Sequence, residues 1–124
     1  MRVDCSQITM QERKKEDDGT CVVTVHVDPG ACMFKSRVTG RPNGKTVLLE
    51  IESGCPCVQK LAESLQSVDA FESLKMPYEE NPVFRKSGTL LRHATCPIPI
   101  AIAKCVEASI GLALKKNVKI EYEK

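Results

Sequence analysis

Seven cysteines among 124 residues are the part of this sequence with chemistry to offer. Their number is odd and the N-terminus, Met1-Arg2-Val3-Asp4-Cys5-Ser6, has no apolar export signal. Both features argue against a disulfide framework, because the cytosol keeps thiols reduced. Metal ligation or thiol chemistry is the better expectation. Cys55 and Cys57 stand too close in sequence to bridge without strain. Cys55-Pro56 and Cys96-Pro97 each place a thiol where an N-cap belongs, with proline at the first helical position. Free amides and the helix dipole at such a site favour the thiolate and pull its pKa below about 8.5, which suits a nucleophile or a metal ligand. His93 precedes Cys96 by three residues, so both can reach one ion. The plain alternative is a surface-loop histidine.

The remaining thiols read as structural. Cys105 lies nine residues beyond Cys96, about half a rotation round a helix, and so faces the other way. With Ile98, Ile102 and Leu112 it forms an apolar row, in which a buried cysteine acts as a small hydrophobe. Cys21 alternates with valines and reads the same way, Cys5 lies in a polar arm, and His26 sits in mid-strand.

The elements that position these residues follow from periodicity. Residues 1–19 are polar and end in a charged run, an extension ahead of a single domain spanning 20–124. Cys21 to Asp28 alternates as a first strand, closed by Pro29-Gly30. Phe34 to Thr39 is a second, and Gly40-Arg41-Pro42-Asn43-Gly44 a tight reversal into a third, Lys45 to Glu52. Val58, Leu61, Leu65 and Val68 then recur with helical spacing. Between 69 and 92 the prolines predict a short helix around Ala70 to Lys75 and then a loop. Pro97 to about Lys116 is a mostly buried helix with a polar stripe at Lys104, Glu107 and Lys115. Asn117 to Tyr122 alternates as a closing strand. The predicted fold is α+β: a three-stranded antiparallel meander plus a C-terminal strand, with two main helices on one face, in the order βββααβ.

That order has a geometric consequence. In an antiparallel meander the turns after strands one and three share a sheet edge. Cys32 follows the first strand, and Cys55 and Cys57 follow the third. If the closing strand runs parallel to its neighbour, Cys96 reaches the same edge, and thiols from three segments converge there.

Composition excludes more than it assigns. Eighteen Lys plus Arg against 16 Asp plus Glu leave a net charge of +2, and 42% hydrophobic content is that of a globular domain. At this length roughly two-thirds of the unfolded surface is buried, enough for a core without staples. The longest apolar run, Ile98 to Ala103, is far short of a membrane span, and a cytoplasmic protein is expected. Aromatics at 4% give little for bases to stack on, and Glu121 and Glu123 offset the basic patch of Lys115, Lys116 and Lys119, so nucleic-acid binding is unsupported. Gly40 and Gly44 flank a hairpin and make no phosphate loop. Asp69, Glu72, Glu79 and Glu80 show no catalytic spacing. There is no internal repeat. An exposed terminal strand leaves room for a homodimer or another protein partner.

Two resemblances bear on the thiols. Cys96-Pro97-Ile98-Pro99 opening a helix resembles the CPxP element of the small persulfide sulfur-carrier proteins, and the resemblance implies Cys96 as the sulfur acceptor. That family places the element early, after its first strand, whereas here it comes late. More of the chain is similar to a group of uncharacterised small cysteine-containing domains. The shared pattern reads Pro29-Gly30-Ala31-Cys32, Ser53-Gly54-Cys55-Pro56 and His93-Ala94-Thr95-Cys96-Pro97. This likeness implies a shared thiol site and no particular activity. Three functions are therefore expected in competition. One is a binding module holding zinc or an iron–sulfur cluster through Cys32, Cys55, Cys96 and either Cys57 or His93. The second is a thiol enzyme or sulfur carrier with Cys96 as nucleophile and His93 as base. The third is an interaction domain without chemistry.

Overall fold

The computed structural model describes residues 21–124. The polar extension and Cys5 lie outside the described residues. Three strands form the expected meander: β1 is Val23–Val27, β2 is Ser36–Asn43 and β3 is Thr46–Ser53. The β2–β3 reversal is tighter than the glycine and proline content implies. Pairing persists to Asn43 opposite Thr46, leaving only Gly44 and Lys45 in the loop. Gly44, at φ +66°, occupies the first loop position, where a two-residue hairpin of the right twist requires a positive φ.

Along each strand one face is apolar and one polar. Val23, Val27, Val38, Val47 and Leu49 are buried, whereas Thr24, His26, Arg37, Leu48, Glu50 and Glu52 face outward. On the outer face Thr24 and Thr39 share a hydroxyl hydrogen bond of 3.1 Å, and Arg37 pairs with Glu52. The exposed ion pair adds little, of the order of a few tenths of a kcal/mol. The inner face carries the helices: α1, Pro56–Ser64, packs on β3, and α3, Ile98–Ser109, packs on β1 and β2. Between them α2, Pro82–Leu90, contacts both.

The architecture is the expected α+β fold with helices on one face, and three elements differ from their sequence reading. The first helix stops at Ser64, and Val68 belongs to a fourth strand, β4, Ser67–Asp69, antiparallel to β3. Leu65 and Val68 keep helical spacing because both are buried, one at the helix end and the other opposite Val47. Residues 70–75 form one 3₁₀ turn, Glu72–Leu74. The loop expected beyond it contains α2, whose start the sequence states plainly once read as a cap. The buried Asn81 carboxamide oxygen accepts from the Val83 and Phe84 amides at 2.9 and 3.4 Å, and Pro82 supplies the first helical residue.

The third difference concerns the C-terminus. The last helix ends at Ser109, seven residues early, and Asn117 to Tyr122 forms no strand. Gly111, at φ +84°, closes α3 with two bonds, Gly111 N–H to the Ala108 carbonyl at 3.1 Å and Leu112 N–H to that of Glu107 at 2.9 Å. This is the left-handed glycine stop of a Schellman motif, and it satisfies carbonyls that a longer helix would have used. Leu112 thus leaves the apolar row and is exposed. The sheet order is β1-β2-β3-β4, and its fourth strand comes from mid-chain.

Cys105 is core, as its rotation predicts, and its sulfur packs directly on the sheet at Gly40. A Cβ added at Gly40 would stand 2.8 Å from its Sγ and 3.2 Å from Val47 Cγ1. The thiol donates towards the Val23 carbonyl at 3.4 Å, with that of Val38 at 3.8 Å. Gly40→Ala is therefore expected to lower stability by about 1–3 kcal/mol through overpacking, and Cys105→Ala by about 1–2 kcal/mol through lost contacts. In the double variant the added methyl enters the space the sulfur leaves. Urea unfolding of all four proteins checks this, and a double variant whose loss equals the sum of the single losses would refute the contact.

Candidate thiol site

Strand register brings three chain segments to one edge. Val27 pairs with Ser36, and Ser36 pairs with Ser53, so the end of β1, the start of β2 and the end of β3 stand side by side. Cys32 lies on the β1–β2 connection, and Cys55 and Cys57 lie just beyond Ser53.

Local bonds fix each segment. In the β1–β2 connection, the Asp28 carboxylate accepts from Gly30 N–H at 3.1 Å, and Met33 N–H donates to the Gly30 carbonyl at 3.0 Å. Gly30 and, less usually, Met33 adopt positive φ there, and Cys32 between them is exposed. Phe34 anchors this connection to the β3–α1 junction, where a Cβ at Gly54 would meet its ring at 3.2 Å. Ser53 ties the same pieces together by accepting from Ser36 Oγ at 2.8 Å and from Cys55 N–H at 3.0 Å. Cys55 is the N-cap of α1 with Pro56 following, as expected, and its carbonyl accepts the first helical bond from Gln59 N–H at 2.9 Å.

The third segment is the turn into α3, where Cys96 N–H donates to the His93 carbonyl at 3.1 Å. Here the cap shifts by one residue. Pro97 is the N-cap, Ile98 begins the helix and Cys96 stands just outside it. The sulfur still receives a hydrogen bond from the Ile98 amide, the interaction expected of a helix start. Its acidifying effect is nonetheless outweighed. Burial holds the Cys96 thiol above the ordinary thiol value, outweighing the Ile98 amide, and nearby charge on Cys32, Cys55 and Cys57 pushes it further up. The expected activation by the helix dipole therefore does not prevail at Cys96.

That coupling places Cys32, Cys55, Cys57 and Cys96 in one electrostatic neighbourhood. All four are free thiols, and Cys55 and Cys96 pack partly against the hydrophobic core. His93 is exposed, and its backbone carbonyl rather than its ring closes the turn. Among the described residues no three His, Cys, Asp or Glu side chains stand close enough, as they are placed, to clasp a metal ion. Cys21, expected as a reduced core thiol, is buried but disulfide-bonded, and it lies beyond the opposite end of β1. The sequence reading gave Phe34 and Ser36 no part in the site and named Ser53 only within the Ser53-Gly54-Cys55-Pro56 pattern. Their signal is present only as the small residues Ser53-Gly54 ahead of Cys55, whose size lets an aromatic ring and two hydrogen bonds fit.

The two kinds of free thiol separate by reactivity. Burial pushes Cys105 up to about 12. Its folded pKa is thus raised above the ordinary value of 9.0, so the native state keeps a proton that the unfolded chain releases. The stability it contributes is present in full below pH 9.0 and declines as pH rises towards about 12. Alkylation of the native protein near pH 8, mapped by peptide mass, should label Cys32, Cys55 and Cys57 and label Cys96 more slowly, while Cys105 reacts only after unfolding. Labelling of Cys105 at the rate of Cys32 would contradict its placement.

Residues 23–122 match the model of a family of unknown function, DUF6951. No curated protein and no solved structure matches the chain. Among the described residues no helix is long and apolar enough to cross a membrane.

Proposed function

We propose that this chain, which belongs to the DUF6951 family of unknown function, is a small metal-binding module. In this reading Cys32, Cys55, Cys57 and Cys96 hold zinc or an iron–sulfur cluster at the sheet edge, with His93 as the reserve ligand. The observation that carries the reading is that four free thiols from three separate segments lie towards one edge of the sheet, near enough for three of them to act on the charge of the fourth. Thiolates crowded there repel one another, and a cation among them turns that repulsion into ligation. Soft sulfur donors suit zinc or iron. The Ile98 amide already bonded to the Cys96 sulfur is the kind of outer contact that orients a thiolate ligand and tunes its metal. The exposed Cys32 on its glycine-containing turn is the ligand with most freedom to close on an ion.

A second reading has its own support in the geometry. Cys96 stands at the mouth of a proline-initiated helix with an amide on its sulfur, which fits a persulfide carrier of the CPxP kind. A persulfide on Cys96 needs one nucleophile, whereas a metal centre needs the set.

Elemental analysis and an absorption spectrum of protein purified without oxygen separate the two. Stoichiometric zinc, or iron with visible charge-transfer bands, is expected. Cys55→Ser and Cys96→Ser should each lower metal content at least tenfold, and Cys105→Ala should leave it unchanged. Metal-free protein carrying a labile sulfur adduct on Cys96 would replace the metal reading with the carrier. Protein with neither would leave an interaction domain.

A further inference from the structure

Beyond the glycine stop of α3 the chain carries apolar residues that the described residues leave largely open to solvent. Val118 is 54% exposed, Ile120 93% and Tyr122 100%. They alternate with Lys119 and Glu121, which pair with each other at 3.4 Å, so residues 117–122 have the two-faced pattern of a strand without a sheet. The segment lies wholly inside the part of the chain that matches the family, which makes it a component of the domain.

The sheet offers a place of matching chemistry. β1 is outermost and, among the described residues, bonded on one side only, to β2. Its inward residues are Val23, Val25 and Val27, with Val25 only half-buried, and its outward residues are Thr24 and His26. A strand laid along this edge with Val118, Ile120 and Tyr122 inward and Lys119 and Glu121 outward continues both faces. The opposite edge, β4, is only three residues long and gives no such template. An edge and a strand-former that are both unpaired among the described residues make the arrangement from which strand addition and arm exchange arise.

We infer that two copies of this chain associate by exchanging C-terminal arms, residues 117–122 of each adding as a fifth strand to the β1 edge of the other. Each arm is about 20 Å long when extended. Reciprocal exchange counts every contact twice and buries three large apolar side chains per arm, bringing the contact towards the roughly 1,000 Å² expected of a specific interface. The occupant is a second copy because the segment supplies both the missing strand and the missing apolar cover. The inference does not depend on the metal reading.

Light scattering on the full chain, with its free thiols alkylated and the Cys21 disulfide left intact, across a dilution series, tests it. The expected mass is twice 13.7 kDa, falling to that of one chain on dilution. Ile120→Pro and Ile120→Lys should both be monomeric, and with Ile120 93% exposed both keep the fold, as circular dichroism will show. In a mixture of isotope-labelled and unlabelled copies, intermolecular proton contacts should run from residues 117–122 of one to Val23–Val27 of the other. A monomer at every concentration, a dimer that survives both substitutions, or intermolecular contacts centred elsewhere would each overturn the proposal.

Discussion

The close seat of α3 on the sheet governs where everything else falls. At Gly40 the missing side chain leaves room for one sulfur, and Cys105 fills it with its Sγ against β2 and its proton directed at the Val23 carbonyl. A larger residue at either position lifts the helix from the strands. With that contact made, helix geometry dictates the rest. Nine residues back along α3 is about 13 Å, which carries the chain from the middle of β2 to its beginning, at the edge shared with Val27 and Ser53. Cys96 therefore reaches the thiol edge because Cys105 is buried where it is. The closing strand expected to bring it there is absent, and α3 itself sets its position.

The same packing sets the character of the thiols. Cys105 is deep enough that its charged form is strongly disfavoured, which makes it a permanent hydrogen-bond donor and a structural residue. Cys96 sits at an intermediate depth, with a helix amide favouring its thiolate while burial and three neighbouring thiols oppose it. Burial outweighs the amide there, and the thiol stays above its ordinary value. A sulfur so held is a poor free nucleophile and gains most from a partner that cancels charge.

Much of this was legible in the residues. Alternation of Val23, Val25 and Val27, and of Val47 and Leu49, marks the strands because each sheet face meets a different medium. The meander order then places Cys32 beside Cys55 without any knowledge of side chains. Three features resisted reading. Val68 keeps helical spacing yet lies in β4, since short apolar repeats are common to both periods when every member is buried. Asn81-Pro82 looks like a break, and only the buried carboxamide shows that it is a helix start. Asn117 to Tyr122 has strand chemistry and no strand partner within the described chain, a fact that sequence alone cannot contain, because pairing belongs to the sheet and not to the segment.

The direction of α3 also separates two regions of the molecule. The helix enters at the thiol edge and leaves near Val23, at the far end of β1, where Gly111 turns the chain outward. Whatever the C-terminal segment pairs with, it departs from the end of the domain opposite Cys32, Cys55 and Cys96. An arm laid along β1 lengthens the sheet sideways and adds its polar residues to the face that carries no helices. The Met33 turn and the mouth of α3 stay open to solvent in that arrangement. Chemistry at one end and association along one side are thus compatible in a single small domain, because one helix, pinned at one sulfur, spans the distance between them.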